Sequence, residues 1–164
     1  MQFTLGCDPE FFLKKNNQHV SAIGLVGGTK HEPLPLSIPG CAVQEDNVSV
    51  EFNIAPSHNH TEFIQQIGAV LAELKGRLPM YEFSRESAVV FNEEELTHPK
   101  ALEFGCEPDY NAWTKEMNPR PCAAEKRLRS AGGHVHIGTS LDPIAVIRAM
   151  DLYRDWETDR KSVV

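Results

Sequence analysis

Residues 47–54 (Asn-Val-Ser-Val-Glu-Phe-Asn-Ile) alternate polar and apolar side chains without a break, a period that suits a half-buried β-strand and not a helix. Alternation sets Val48, Val50, Phe52 and Ile54 against a core and turns Asn47, Ser49, Glu51 and Asn53 to the other face. Pro56-Ser57 then leads into a different period. Phe63, Ile64, Ile67, Val70, Leu71 and Leu74 recur at helical spacing over residues 60–77, and Lys75, Gly76, Arg77 and Pro79 supply the stop. The same periodicity leaves Glu73 on the solvent face of that helix. A strand with one apolar side followed at once by an amphipathic helix predicts helix-on-sheet packing, the α/β (α+β) class.

The flanking segments extend this reading. Residues 2–6 and 10–14 are short apolar stretches around Asp8-Pro9, and residues 20–26 follow the polar turn Lys14-Lys15-Asn16-Asn17, which predicts a hairpin. Gly27, Gly28, Pro33, Pro35, Pro39 and Gly40 make residues 27–40 a loop with room for a substrate-side excursion. Ala88-Val89-Val90-Phe91 is expected to be a strand, residues 92–131 irregular, and Gly132–Gly138 a short strand flanked by glycines. Asp142-Pro143 opens a last helix with an apolar stripe at Ile144, Val146, Ile147, Met150 and Leu152. The pattern Gly-Cys-acid-Pro-acid-aromatic occurs at residues 6–11 and again at 105–110, without a sustained period.

After Tyr153 the stripe stops, and residues 159–164 resemble the in-frame translation of a common sequencing adapter. Residues 1–153 are therefore expected to be the N-terminal portion of a longer protein, C-terminally truncated, and residues 154–164 a non-native tail.

Composition excludes several classes. The chain has 164 residues, 41% of them hydrophobic, which is ordinary for one globular domain. Lys and Arg total 16 against 23 Asp and Glu, a net charge of −7, and no basic run exceeds two residues, as at Lys126-Arg127. Nucleic acid is not the expected partner, because binding it requires a basic surface that displaces phosphate counterions. No apolar stretch approaches the roughly 20 residues that span a bilayer, and residues 1–5 lack the features of a signal peptide. The four cysteines have no C-x-x-C spacing, so reduced buried thiols and a cytoplasmic protein are expected.

Three groups of residues carry candidate chemistry. His134 and His136 are two apart on a strand, so both imidazoles face one side, and Gly132, Gly133 and Gly138 remove bulk where something must approach closely. Imidazole is a common metal ligand, which favours a functional pair over two structural histidines. Asp8 and Glu10 have the same spacing across Pro9; two carboxylates side by side need a cation or a proton between them, and a solvated acidic turn fits the residues equally well. Glu51 lies in the polar row of residues 47–53, which suits either solvent or the oxygen ligands of a magnesium-nucleotide cleft.

Taken in order, these segments resemble the phage-type carboxylate–amine ligases (amidoligases, type 2 group) of the glutamine synthetase and glutamate–cysteine ligase superfamily. Thr4-Leu5-Gly6-Cys7-Asp8-Pro9-Glu10-Phe11 is similar to their first strand, T-x-G-x-E-x-E-F. Val50-Glu51-Phe52 followed by Pro56 is similar to their second acidic strand, and Gly133-His134-Val135-His136-Ile137-Gly138 to their G-x-H-V-H-x-G strand. Residues 105–113 resemble a segment of the phage branch. The match covers roughly residues 2–153, with Asp8 where many relatives have Glu and with the later strands of the nucleotide and substrate pockets missing.

The resemblance implies a curved, mainly antiparallel sheet with helices on its outer face. It also implies an ATP- and Mg2+-dependent (or Mn2+-dependent) ligase that phosphorylates a carboxylate and lets an amine displace the phosphate. Its partners would be small-molecule or peptide carboxylates and amines, in the host cytoplasm if the chain is phage-encoded. Asp8, Glu10, Glu51 and His134 would hold metal. His136 would face the nucleotide phosphates, Glu51, His136 and Arg129 would serve catalysis, and Arg127 with Arg129 would grip a carboxylate or phosphate. A solvated loop fits the two arginines equally well.

Two other classes remain open on the residues. A cupin-like metal-dependent oxygenase or isomerase also uses G-x-H-x-H, with a further acid for which only Asp142 is at hand. A non-catalytic phage structural or binding protein would retain the sheet alone.

Overall fold

A computed structural model describes residues 3–102, 110–119 and 125–161, with residues 153–161 described by backbone only. The chain divides into two units: residues 3–105 with 123–138 form the larger, and residues 106–122 with 139–164 form the smaller.

The larger unit is α+β, and all its strand pairs are antiparallel. Strands β1 (Thr4–Cys7) and β2 (Glu10–Lys15) are followed by β3 (Gln18–Val20), β4 (Leu34–Pro35), β5 (Ala42–Asp46) and β6 (Ser49–Asn53). Helix α1 (His60–Arg77) comes next, then β7 (Glu82–Ser84), β8 (Ala88–Val90), β9 (Leu128–Ser130) and β10 (Val135–Gly138). The main sheet runs β3-β2-β6-β5-β4 with β7 also paired to β2, while β1-β10 and β8-β9 form separate ladders.

Local chemistry explains most of these elements. The β2–β3 hairpin closes on Asn16 and Asn17, both at positive φ (51° and 63°), which a two-residue turn matched to strand twist requires and Asn tolerates. Asn59 caps α1 by accepting from the Glu62 amide, and the Glu62 carboxylate accepts in return from the His58 amide, a reciprocal cap. The expected alternation over residues 47–54 holds. Val50, Phe52 and Ile54 join Leu13, Val43, Val70 and Leu74 in a core between the sheet and α1, and Val48 joins a second core with Phe12, Val89 and Phe91.

Several elements differ from expectation. Residues 21–26 turn away after Val20 and do not prolong β3, and β4, β5 and β9 lie in stretches read as loop or left unassigned. Residues 105–109 of the repeated Gly-Cys pattern fall outside the described residues, as do Cys106 and Cys122; Cys7 and Cys41 are buried free thiols, as expected of reduced cysteines. Glu73 is not idle on the solvent face of α1. Its carboxylate accepts from the Ser37 amide (3.0 Å), the Ser37 hydroxyl (2.6 Å) and Arg77 (2.6 Å), which ties the 36–41 loop to the helix.

Helix α2 (Pro143–Lys161) runs past Tyr153, where the apolar stripe ends; backbone hydrogen bonding continues a helix without regard to side-chain pattern. It belongs to the smaller unit, so the helix that backs the sheet of the larger unit is α1. In the smaller unit Arg148 lies over the Trp113 ring (5.1 Å) and donates to the Ala112 carbonyl, while the Trp113 indole donates to Asp151. No helix among the described residues is long and apolar enough to cross a membrane.

Gly133 is the tightest backbone requirement near the acidic strand. It has φ +147°, and a Cβ there would meet Pro9 Cα at 2.7 Å, whereas a Cβ on Gly132 would meet nothing within 4 Å. Gly133→Ala is expected to destabilise the protein by about 2 kcal/mol through strain and displacement of Pro9, and Gly132→Ala by less than about 1 kcal/mol. Thermal melts of the two variants check the contrast.

Candidate functional site

Asp8-Pro9-Glu10 joins β1 to β2 as a nearly continuous strand with a neighbour on each side. On one side Asp8 N–H donates to the His134 carbonyl and Glu10 N–H to the Gly132 carbonyl. On the other, Phe52 N–H donates to the Pro9 carbonyl and Ile54 N–H to that of Cys7. Proline suits this junction because it has no N–H to leave unpaired there. The glycines around the histidines now have an assignment. What approaches them is β1 itself, since a Cβ on Gly138 would collide with the Thr4 hydroxyl and one on Gly133 with Pro9.

Register decides which side chains meet. Glu10 lies directly opposite Glu51, and Glu51 directly opposite Gln44, so the three form a row across β2, β6 and β5 on one face. Asp46, two residues beyond Gln44, shares that face. His136 lies opposite Gly6, and alternation brings Asp8 to the same side. The Asp8 carboxylate then spans both imidazoles: Oδ1 is 3.2 Å from His134 Nδ1 and Oδ2 is 3.1 Å from His136 Nε2, with the His134 amide donating to Oδ1 at 2.7 Å. Both imidazoles are more than half exposed, and Asp8 is the least exposed member of the trio.

The remaining acids are held by their own donors. Glu10 accepts from the Gly132 amide at 2.9 Å, Glu51 from the Gln44 amide nitrogen, and Asp46 shares a hydrogen bond with Glu10. Burial raises the pKa of Glu10, Asp46 and Glu51, and Glu51 goes to about 7. After burial the opposing charges act. Asp46 and Asp8 push Glu10 up while the Gly132 amide and His134 pull it down, and Asp46, Asp8 and Glu10 push Glu51 up against its bond to Gln44. Lys30 lowers Asp46, so the loop of residues 27–40 brings one cation within electrostatic reach of the cluster. Four carboxyls on three strands and the β1–β2 junction thus feel one another, a concentration of negative charge that calls for a proton or a cation.

Asp8, Glu10, Glu51, His134 and His136 are brought into one neighbourhood, but not onto one point. Among the described residues no three His, Cys, Asp or Glu side chains stand at the spacing of metal ligands. The expected convergence of Glu10, Glu51 and His134 is replaced by separate pairings with Asp46 and Gly132, with Gln44, and with Asp8, because like charges turn to the nearest donors.

The two arginines need correction. Arg129 donates to the Ala101 carbonyl (2.7 Å), to the Lys126 and Leu128 carbonyls (2.9 Å each) and to Asn47 Oδ1 (3.2 Å), so its guanidinium ties β9 to the β5–β6 turn and to Ala101. Arg127 pairs with Glu125 at 3.3 Å. Arg129 is not posed as an anion clamp, because carbonyls and Asn47 take up its donors, whereas Arg127 is held by Glu125 through Nε. Asp142, the third acid a cupin site would need, caps α2 by accepting from the Ala145 amide.

Gln44 and Asp46 were missed by sequence reasoning. The signal was present in the alternating residues 42–46 and in Asp46-Asn47, a turn dipeptide whose Asn47 has φ 52°. A hairpin there sets Gln44 opposite Glu51.

Stability should respond to pH through Glu51. A carboxyl whose pKa is raised on folding contributes most below its ordinary value of 4.5 and loses that contribution as pH rises through about 7. Without divalent cations the melting temperature is therefore expected to fall across that window. Glu51→Gln should flatten the fall, gaining about 1–2 kcal/mol over the parent protein at pH 8 after allowance for solvent screening. Melts at pH 4.5, 6 and 8 read the difference directly.

Compared with protein-family models, with curated proteins and with solved structures, the chain matches none, so the meaning of this site rests on its own residues.

Proposed function

We propose that the acid–imidazole cluster holds a divalent cation, Mg2+ or Mn2+, and serves an ATP-dependent carboxylate–amine ligase. The observation that carries the reading is the row Gln44–Glu51–Glu10 with Asp46 beside it and Asp8 spanning His134 and His136. Carboxyls of three strands and the β1–β2 junction are electrostatically coupled there, and three of them are pushed above their ordinary range. The ordered resemblance of residues 2–153 to that ligase family supports the same reading.

The donor types suit the cation, and binding it would draw the separately paired groups together. Carboxylate oxygens with imidazole suit hard divalent ions, and the thiol that a softer metal would prefer is withheld: Cys7 is buried, and burial, Asp8 and Cys41 push it up to about 11. Asp8, Glu10, Glu51 and His134 would hold the ion, with Asp46 added to the set that the resemblance implies. In such a ligase the cation and ATP together supply phosphoryl transfer to a carboxylate, which an amine then converts to an amide. For this chain's own residues the reading assigns three tasks. Gln44 orients Glu51, the Gly132 amide orients Glu10, and Asp8 fixes both imidazoles so that His136, the more exposed, faces incoming phosphate.

Calorimetric titration of the chain with Mg–ATP tests the reading. Glu51→Gln keeps size and hydrogen bonding but removes the charge, and is expected to weaken binding at least tenfold, about 1.4 kcal/mol. Glu93→Gln is the matched control, since Glu93 is exposed and away from the cluster, and should bind as the parent does. Glu73 does not serve as a control because it anchors Ser37. Equal binding by the Glu51→Gln and Glu93→Gln variants would overturn the reading.

A further inference from the structure

With Arg127 and Arg129 committed elsewhere, the cluster needs another cation wherever an anionic group is to be received. One hollow borders the cluster directly. It measures about 230 Å³ and lies between β2 and the β7–β8 connection, with Glu10, Phe11, Arg85, Glu86, Ser87 and Gly132 among the residues on its walls. Two of these, Glu10 and Gly132, are the hydrogen-bonded pair that closes one end of the acidic row. A larger hollow of about 480 Å³, lined among others by Lys15, Tyr81, Glu95 and His98, touches none of the clustered acids.

Arg85 is the cation of the smaller hollow. It is exposed and makes no hydrogen bond or ion pair among the described residues. Its neighbour Glu86 does not neutralise it. The Glu86 carboxylate is engaged by Lys14 at 2.6 Å, by His19 at 2.7 Å and by the Ser84 hydroxyl at 2.7 Å, and Lys14 leads in holding it down to about 2. That network also fixes the backbone from which Arg85 projects: Glu86 N–H donates back to Ser84 Oγ, β7 is paired to β2, and the Ser87 carbonyl accepts from the Ala131 amide. An uncommitted guanidinium on a fixed backbone, on the wall of a small hollow that shares Glu10 with the acid cluster, is posed to receive an oxyanion through its planar fork of donors.

We propose that this hollow is an oxyanion subsite, in which Arg85 binds the carboxylate or phosphate group of a ligand presented to the acid cluster. The inference rests on the proposed function for what the anion is used for, but not for its binding. Carboxylate and phosphate share the chemistry that Arg85 reads, so the test must separate them.

Amide NMR titrations with sodium acetate and, separately, with inorganic phosphate follow the signals of residues 84–87 and Gly132, at constant ionic strength and without added metal. The expected result is a saturable shift with at least one of the two anions, weakened tenfold or more in Arg85→Gln, retained in part by Arg85→Lys and unchanged in Arg127→Gln. Because Arg85 is exposed and unbonded, its replacement should leave the melting temperature unaltered. A shift with acetate alone assigns the subsite to a carboxylate, and one with phosphate alone to a phosphoryl group. Absence of a saturable shift with both anions, or equal weakening by Arg85→Gln and Arg127→Gln, overturns the subsite. The two proposals fail separately. Anion binding at Arg85 without Mg–ATP binding would sink the ligase reading and keep the subsite, whereas Mg–ATP binding sensitive to Glu51 but with no anion response at Arg85 would do the reverse.

Discussion

The site depends on the double-sided pairing of one stretch of backbone, Cys7 to Glu10. Its carbonyls meet β6 and its amides meet residues 132–134, so a segment with a proline in the middle still has its polar groups satisfied on both sides. The pairing is possible because Gly133 lets Pro9 approach and Gly138 makes room for Thr4. It places Asp8 against the imidazoles and Glu10 against Glu51. A shift of one residue in either register would send these side chains to the opposite face, into the core that α1 covers.

The same arrangement explains why the acids are raised. Strands in antiparallel register put opposite residues close together, and here two of the opposed residues are Glu10 and Glu51. Burial and repulsion disfavour their charged forms, against which act the Gly132 amide and His134 for Glu10, Gln44 for Glu51, and Lys30 with the Glu10 hydrogen bond for Asp46. The apolar cores on either side hold the groups together against that repulsion. Acids elsewhere in the chain contrast with this. Glu45, next to Asp46, is almost fully buried, yet it accepts from the Gly24 and Gly27 amides and faces Lys100, so its charge is used to pin a loop. Glu73 and Glu86 are likewise satisfied by several donors and are held below the usual carboxylate range.

Arginine gives the clearest case of residue type failing to predict role. Arg127 and Arg129 stand just before the His-x-His strand, and proximity in sequence made them the natural anion-binding candidates. In space Arg129 is spent on the carbonyls of Ala101, Lys126 and Leu128, and Arg127 pairs with Glu125. Arg85 lies nearly fifty residues before the histidines and has no motif around it, but it lines the hollow that Glu10 borders. A guanidinium's role depends on which acceptors surround it, and these come from segments remote in the chain.

By itself the sequence determined the periodic elements: the strand over residues 49–53 with its apolar and polar faces, helix α1, the Asn16-Asn17 turn, and the pairing of His134 with His136 on one side of a strand. These follow from local spacing, which neighbours along the chain impose on one another. Only the tertiary structure decided that Glu51 faces Glu10 and Gln44, that Asp46 joins them, that Asp8 spans both imidazoles, and that Arg129 is structural. Each of these is a contact between strands distant in sequence, set by register and by which face the core claims. Neither can be read from one segment alone.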